Sequence, residues 1–237
     1  MKRVSRNCSK LSESLNRQLN AYALAAGAAG VGLLALTQPA EAKIVYTPAH
    51  RKITQFPKVV LDLNHDGNVD FVLLFGGDAS SCFATTYLLA YGYRSGNGVI
   101  PSGVEKSFNQ ALALRPGARI GSDRSFDDNG LLARLFSPIG RRCGSTAWVG
   151  QWADGGKGLK NRYLGLKFSA NGKGHFGWAR VTVTTSGSKF TATLTGYAYE
   201  TIPNKSILAG QTKGKDEGQG ASLGALAAGA VALHTSK

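Results

Sequence analysis

Residues 161–200, NRYLGLKFSANGKGHFGWARVTVTTSGSKFTATLTGYAYE, decide the fold. Three strand-length segments, 161–170, 174–185 and 189–200, are parted by Asn171-Gly172 and Ser186-Gly187. Asn-Gly is the strongest short hairpin signal, because both central residues of the tight turn need positive φ. Leu164, Leu166 and Phe168 alternate with polar neighbours, as do Phe176 and Trp178. Alternation of period two is the mark of a strand with one buried face. The phase shifts between Ala179-Arg180 and Val181, which predicts a bulge or a strand buried on both faces. A three-stranded antiparallel meander follows from this stretch alone.

Upstream, Val59–Leu61, Phe71–Phe75 and Phe83–Tyr93 are short β-branched or aromatic runs bounded by turn residues, and they read as strands. Residues 103–144 read as long loops, with a strand at 108–114 and one or two helical turns at 131–136 as the alternatives within them. Helical periodicity is nearly missing, so the expected class is all-β: an antiparallel β-sandwich with a C-terminal meander and long middle loops, spanning 43–210.

Two flanking segments differ in composition. Lys2, Arg3, Arg6, Lys10 and Arg17 precede an uncharged, Ala- and Gly-rich stretch that ends in Pro39-Ala40-Glu41-Ala42. A basic start, a short apolar centre and an A-x-A site make residues 1–42 a signal peptide cut after Ala42, with a retained membrane anchor as the alternative. The expected location is outside the cytoplasm: periplasmic, secreted or cell-surface. Residues 211–237 read as a polar, Gly-rich tail followed by the small apolar run 221–233. As a helix that run reaches only about 20 Å, short of a roughly 30 Å hydrocarbon core. No stable transmembrane span is expected beyond residue 42, and the tail is either unstructured or a degenerate anchoring signal.

Removing residues 1–42 leaves 23 basic and 12 acidic residues, a surplus of +11. Such a charge draws polyanions, among them acidic envelope polysaccharides. The Lys and Arg are scattered, with no basic helical stripe and no glycine-aromatic RNA-reading motif, so specific nucleic-acid binding is not expected. Cys82 and Cys143 are the two cysteines beyond the signal, and an even pair in an exported chain is most simply a disulfide. Two free buried thiols are the alternative.

One motif carries chemistry. Asp62-Leu-Asn64-His-Asp66-Gly67-Asn68-Val-Asp70 places oxygen-bearing side chains at alternate positions around a glycine bend. A hard cation of six to eight oxygens needs this pattern, so Asp62, Asn64, Asp66, Asn68 and Asp70 are the candidate ligands of a structural calcium ion. Leu73 stands where an EF-hand has its bidentate Glu, and the flanks are strands, so the loop is not an EF-hand. The alternative is an ordinary turn, for which Asn, Asp and Gly are also favoured.

Arg162–Phe168, His175–Arg180, Thr195–Pro203 and Ile207–Gly210, with the early Asp62 loop, resemble bacterial exported proteins that often carry PEP-CTERM-type sorting tails. The resemblance covers about 60 residues and implies a secreted or surface β-domain, with no catalytic residues to carry over. The tail departs from that pattern, lacking Pro-Glu-Pro and keeping only Lys237 of a terminal basic cluster. The expected function is a non-enzymatic surface domain, glycan- or matrix-binding, with Trp148, Trp152 and Trp178 as candidate sugar-stacking rings. A secreted hydrolase acting on envelope or extracellular polysaccharide is the alternative. No G-x-S-x-G elbow is present, and His50, His65 and His175 lack metal-ligand spacing.

Overall fold

The computed structural model describes residues 43–103, 109–187 and 189–214. Residues 1–42, where the signal peptide is expected, and residues 215–237 lie outside the described residues. Twelve strands are formed among those described: β1 (Ile44–Ile53), β2 (Val59–Leu61), β3 (Phe71–Ala79), β4 (Phe83–Gly92), β5 (Gly98–Val99), β6 (Arg119–Ile120), β7 (Asn129–Pro138), β8 (Ala147–Val149), β9 (Arg162–Ala170), β10 (Lys173–Ser186), β11 (Lys189–Glu200) and β12 (Ile207–Leu208). The one helical segment among them is a 3₁₀ turn at Gln151–Gly156.

Two five-stranded antiparallel sheets make the all-β sandwich. The first is ordered β1-β11-β10-β9-β5 and the second β2-β3-β4-β7-β8, with β6 and β12 as a separate pair. The meander β9-β10-β11 is the centre of the first sheet. Its first turn is as the sequence predicts, with Asn171 at φ 52° and Gly172 at φ 72°. The second turn sits one residue later than expected, since Ser186 pairs with Lys189 across Gly187.

The phase shift in β10 comes from burial of both its faces, and the one irregularity in its pairing with β11 lies in the partner strand. Strand β10 pairs with β9 without interruption from Lys173 to Val181. The extra residue is Thr195 in β11, because Arg180 faces Gly196 while Val181 faces Leu194. Arg180 holds this site by donating from Nε to Thr195 Oγ1 at 2.8 Å and from an Nη to Thr195 O at 3.2 Å. One inserted residue turns the following side chains to the opposite face. Phe190, Ala192 and Leu194 therefore share a core with Tyr197 and Tyr199.

Strand β10 is also buried on both faces. Ala179, Val181 and Val183 enter the main core between the sheets, with Leu61, Phe71, Leu88 and Leu135 opposite. Phe176 and Trp178 enter a second core, closed by Ile100, Leu114, Ile120, Ile207 and Ala209 from the loops and the last strand pair. The middle loops are thus a third layer over the first sheet.

The 131–136 segment is strand, not helix. Leu132 is an added residue in β7, where Leu88 pairs with Ala133 and Leu89 with Leu131. This bulge breaks the alternation, so the apolar run mimics a helical face in sequence. Between 110 and 114 there are only single bridges, Gln110 to Leu131, Ala111 to Pro101 and Leu114 to Tyr163. Cys82 and Cys143 form a disulfide, with Cα atoms 5.0 Å apart, at the end of the β4–β7 ladder.

Candidate functional site

The Asp62–Asp70 loop joins β2 to β3 and is closed by the Leu61–Phe71 pair. Leu63 is fully buried in the main core and pins the loop against Gly177 of β10. His65, at φ 59°, meets Thr47 Oγ1 of β1 through Nε2 at 2.8 Å. Within the loop, the Asp62 carboxylate accepts from the backbone N–H of Asp66 at 3.1 Å and of Gly67 at 2.8 Å. Asp66 accepts from Asn68 N at 2.8 Å and from Asn64 Nδ2 at 3.0 Å. Asn64 Oδ1 is buried without a hydrogen-bond partner. Asp70, 3% exposed, turns inward and accepts the Leu63 N–H at 2.8 Å.

The loop therefore brings Asp62, Asn64 and Asp66 together at its tip and sets Asp70 beneath them, while Asn68 stands exposed. Among the described residues no three His, Cys, Asp or Glu side chains are gathered as a ready-made metal centre. Negative charge is nonetheless concentrated here. Burial pushes the Asp70 carboxyl up to about 6, against the Leu63 hydrogen bond, and the charges of Asp62 and Asp66 push the same way. Tyr199 is raised by burial and then by Asp62, Asp66 and Asp70. Asp66 is lowered, first by its hydrogen bond from Asn64.

Two of the three tryptophans do not face a ligand. Trp152 is 0% exposed and donates Nε1–H to Ala111 O at 3.2 Å. Trp178 is 1% exposed, with Tyr46 and Tyr163 against it and its Nε1–H on Gln211 O. A ring enclosed in a core presents no face to a sugar, and this removes both as stacking platforms. Trp148 differs. It lies half-buried in β8, edge-on to Phe190 with centroids 5.7 Å apart, and it lines an open groove.

That groove, about 740 Å³, runs between β8, the 3₁₀ turn, the 110–115 segment and the start of β9. Gly150 carries the chain over the Leu132 backbone at φ 98°, where a side chain has no room. The Leu114–Tyr163 bridge closes with hydrogen bonds of 3.0 and 3.1 Å. The next position outward in that antiparallel register sets Arg115 opposite Arg162, and both line the groove. Neither guanidinium is in an ion pair among the described residues. Gln110, Gln151 and Asp154 complete the polar lining. Gln151 Oε1 accepts from Ala113 N at 3.2 Å, which ties the 3₁₀ turn to the 110–115 segment.

Sequence reading singled out Trp148 but none of its polar partners. Gln110, Arg115, Gln151 and Arg162 are not adjacent in sequence and meet only through one bridge and one turn. No local motif signals them. No family model, no curated protein and no solved structure matches the chain.

Proposed function

We propose that the chain is an exported, non-enzymatic β-sandwich that binds polysaccharide in the groove beside Trp148. The observation that carries this reading is the groove's composition: one partly open indole, two unpaired guanidiniums, two amides and one carboxylate. Rings of this kind take the apolar face of a sugar, and the polar groups take its hydroxyls. Asp154 is the single carboxylate among the described lining residues, whereas glycoside hydrolysis by the usual route needs two flanking the bond. That favours binding over cleavage. The disulfide supports export, since such bonds persist in oxidising compartments. No helix among the described residues is long and apolar enough to cross a membrane.

The test is binding of the full chain, expressed with its own N-terminal segment, to a panel of immobilised polysaccharides. Trp148→Ala is expected to raise the Kd about tenfold, the size of losing one aromatic contact. Its melting temperature is followed in parallel, because Trp148 also packs on Phe190. Binding to no polysaccharide, or binding indifferent to Trp148 in a folded variant, overturns the assignment. N-terminal sequencing of the exported product tests the cut, with Lys43 the expected first residue.

The Asp62–Asp70 loop belongs to the same proposal as a structural calcium site. The buried, unpartnered Asn64 Oδ1 and the carboxylates of Asp62, Asp66 and Asp70 carried on the same loop suit an oxygen-seeking cation. With extracellular-grade affinity of about 10⁻⁴–10⁻³ M, about 10 mM calcium would add roughly 1–3 kcal/mol of stability. Melting in calcium against chelator, repeated on Asp66→Ala, checks this. A wild-type melting temperature indifferent to calcium rejects the site.

A further inference from the structure

Gln110 is the group in the groove that its surroundings leave unsatisfied. It is 8% exposed, and its side-chain amide makes no hydrogen bond among the described residues, although it lines the groove. Its polar atoms are not fully enclosed, so the amide opens onto the groove, where water or a ligand is left to satisfy it. Its backbone carbonyl accepts from Ser102 N at 2.7 Å. Nothing in the fold therefore requires an amide at this position in preference to an apolar side chain.

A second observation points the same way. Arg115 and Arg162 stand opposite each other across the Leu114–Tyr163 bridge. Like charges directly opposed across a pair of strands are destabilising. Here no carboxylate within ion-pair distance offsets them. Two guanidiniums lining one groove supply the N–H donors that bind a planar oxyanion.

Resting on the polysaccharide reading above, we infer that the groove selects a carboxylated sugar, a hexuronic acid unit of an acidic polysaccharide. Its carboxylate lies between Arg115 and Arg162, its ring against Trp148, and a ring hydroxyl bonds the amide of Gln110. The carboxylate of a uronic acid is attached directly to the ring, so ring and charge are read within one sugar unit. Gln110 is the specificity-determining group: a site built to hydrogen-bond a hydroxyl leaves a buried polar group unpaired when that hydroxyl is missing. Asp154 and the free amide of Gln151 remain for neighbouring hydroxyls.

The experiment is titration calorimetry of the full chain with oligogalacturonate, with a neutral glucan oligosaccharide and with dextran sulfate, at low and at high salt. Oligogalacturonate is expected to bind tightest. Gln110→Leu is expected to weaken it about tenfold or more at both salt concentrations, because loss of a buried hydrogen bond is not screened. The same variant should melt close to the wild-type temperature, since the amide makes no hydrogen bond within the described fold. Arg115→Gln, at an exposed position, should weaken oligogalacturonate about tenfold and the neutral glucan much less, because only the former presents a carboxylate to it. Equal binding of the neutral glucan, unaffected by Arg115→Gln, would overturn the acidic specificity and leave polysaccharide binding standing. Preference for dextran sulfate with no effect of Gln110→Leu would assign binding to diffuse charge and also overturn it. Failure of all three ligands would remove both readings.

Discussion

The double variant Cys82→Ala, Cys143→Ala is expected to lose about 4 kcal/mol of stability, the chain-entropy value for a loop of 61 residues. For a domain of this size that is a fall of roughly 10 °C in melting temperature. The loss should act through the unfolded chain rather than the native contacts. The ladder that the bond closes is already held by Phe83 against Pro138 and by Ile139 N–H on Cys82 O at 2.9 Å. Strands β4 and β7 keep their register without the sulfur bridge, so the folded variant should give an unchanged circular dichroism spectrum. Urea unfolding of wild type with and without reductant checks the same quantity. A midpoint that does not move with either treatment would show that the bridge contributes nothing.

Asp70→Asn is expected to stabilise the protein in chelator at neutral pH, by up to roughly 3 kcal/mol, a conversion of its raised pKa. The sign follows from the direction of the shift. The unfolded carboxyl ionises near 3.8 and the folded one near 6. Below the first value both states are protonated and the buried acid costs nothing. Between the two values the unfolded state loses its proton first, so wild-type stability falls as pH rises. Above about 6 the penalty is complete. Asparagine retains an oxygen for the Leu63 N–H and removes the charge. The difference between variant and wild type should therefore open between pH 4 and 6 and then stay level. Calcium at the loop would favour the ionised carboxylate and close that difference again. Equal melting temperatures at pH 7 in chelator would show that the buried carboxylate is not under strain.

The meander was legible because its signals are local. Asn171-Gly172 dictates a tight turn whatever surrounds it, and Leu164, Leu166 and Phe168 alternate against a single core. The β10 phase shift reads in sequence as a bulge or a strand buried on both faces, and the second is what the structure has: Phe176 and Trp178 enter one core, Ala179, Val181 and Val183 the other. The extra residue at the β10–β11 pairing, Thr195, lies on the neighbouring strand, and that fact belongs to pairing rather than to the segment itself. Strand β7 was misread for a related reason. The bulge at Leu132 makes the consecutive Leu132 and Ala133 share one core, and consecutive apolar residues carry no period that separates strand from helix. The acidic loop was visible as a spacing of oxygen atoms, but not that Asp62 and Asp66 turn onto the loop's own amides. The groove was least legible, because Arg115 and Arg162 become neighbours only when Leu114 bridges Tyr163.

Trp178 was met above as a core residue of the second cluster, but it also fixes where the polypeptide enters and leaves the sandwich. Tyr46, two residues into β1, rests on its ring, and Gln211, just past β12, takes its indole N–H. Lys43 and Thr201 exchange hydrogen bonds beside them. Start and finish are thereby knotted to one side chain, and neighbouring ends of this kind let a module be spliced into a host loop or have its ends rejoined elsewhere. In topological terms the sandwich is a nearly closed ring with a single gap, and Trp178 is its clasp.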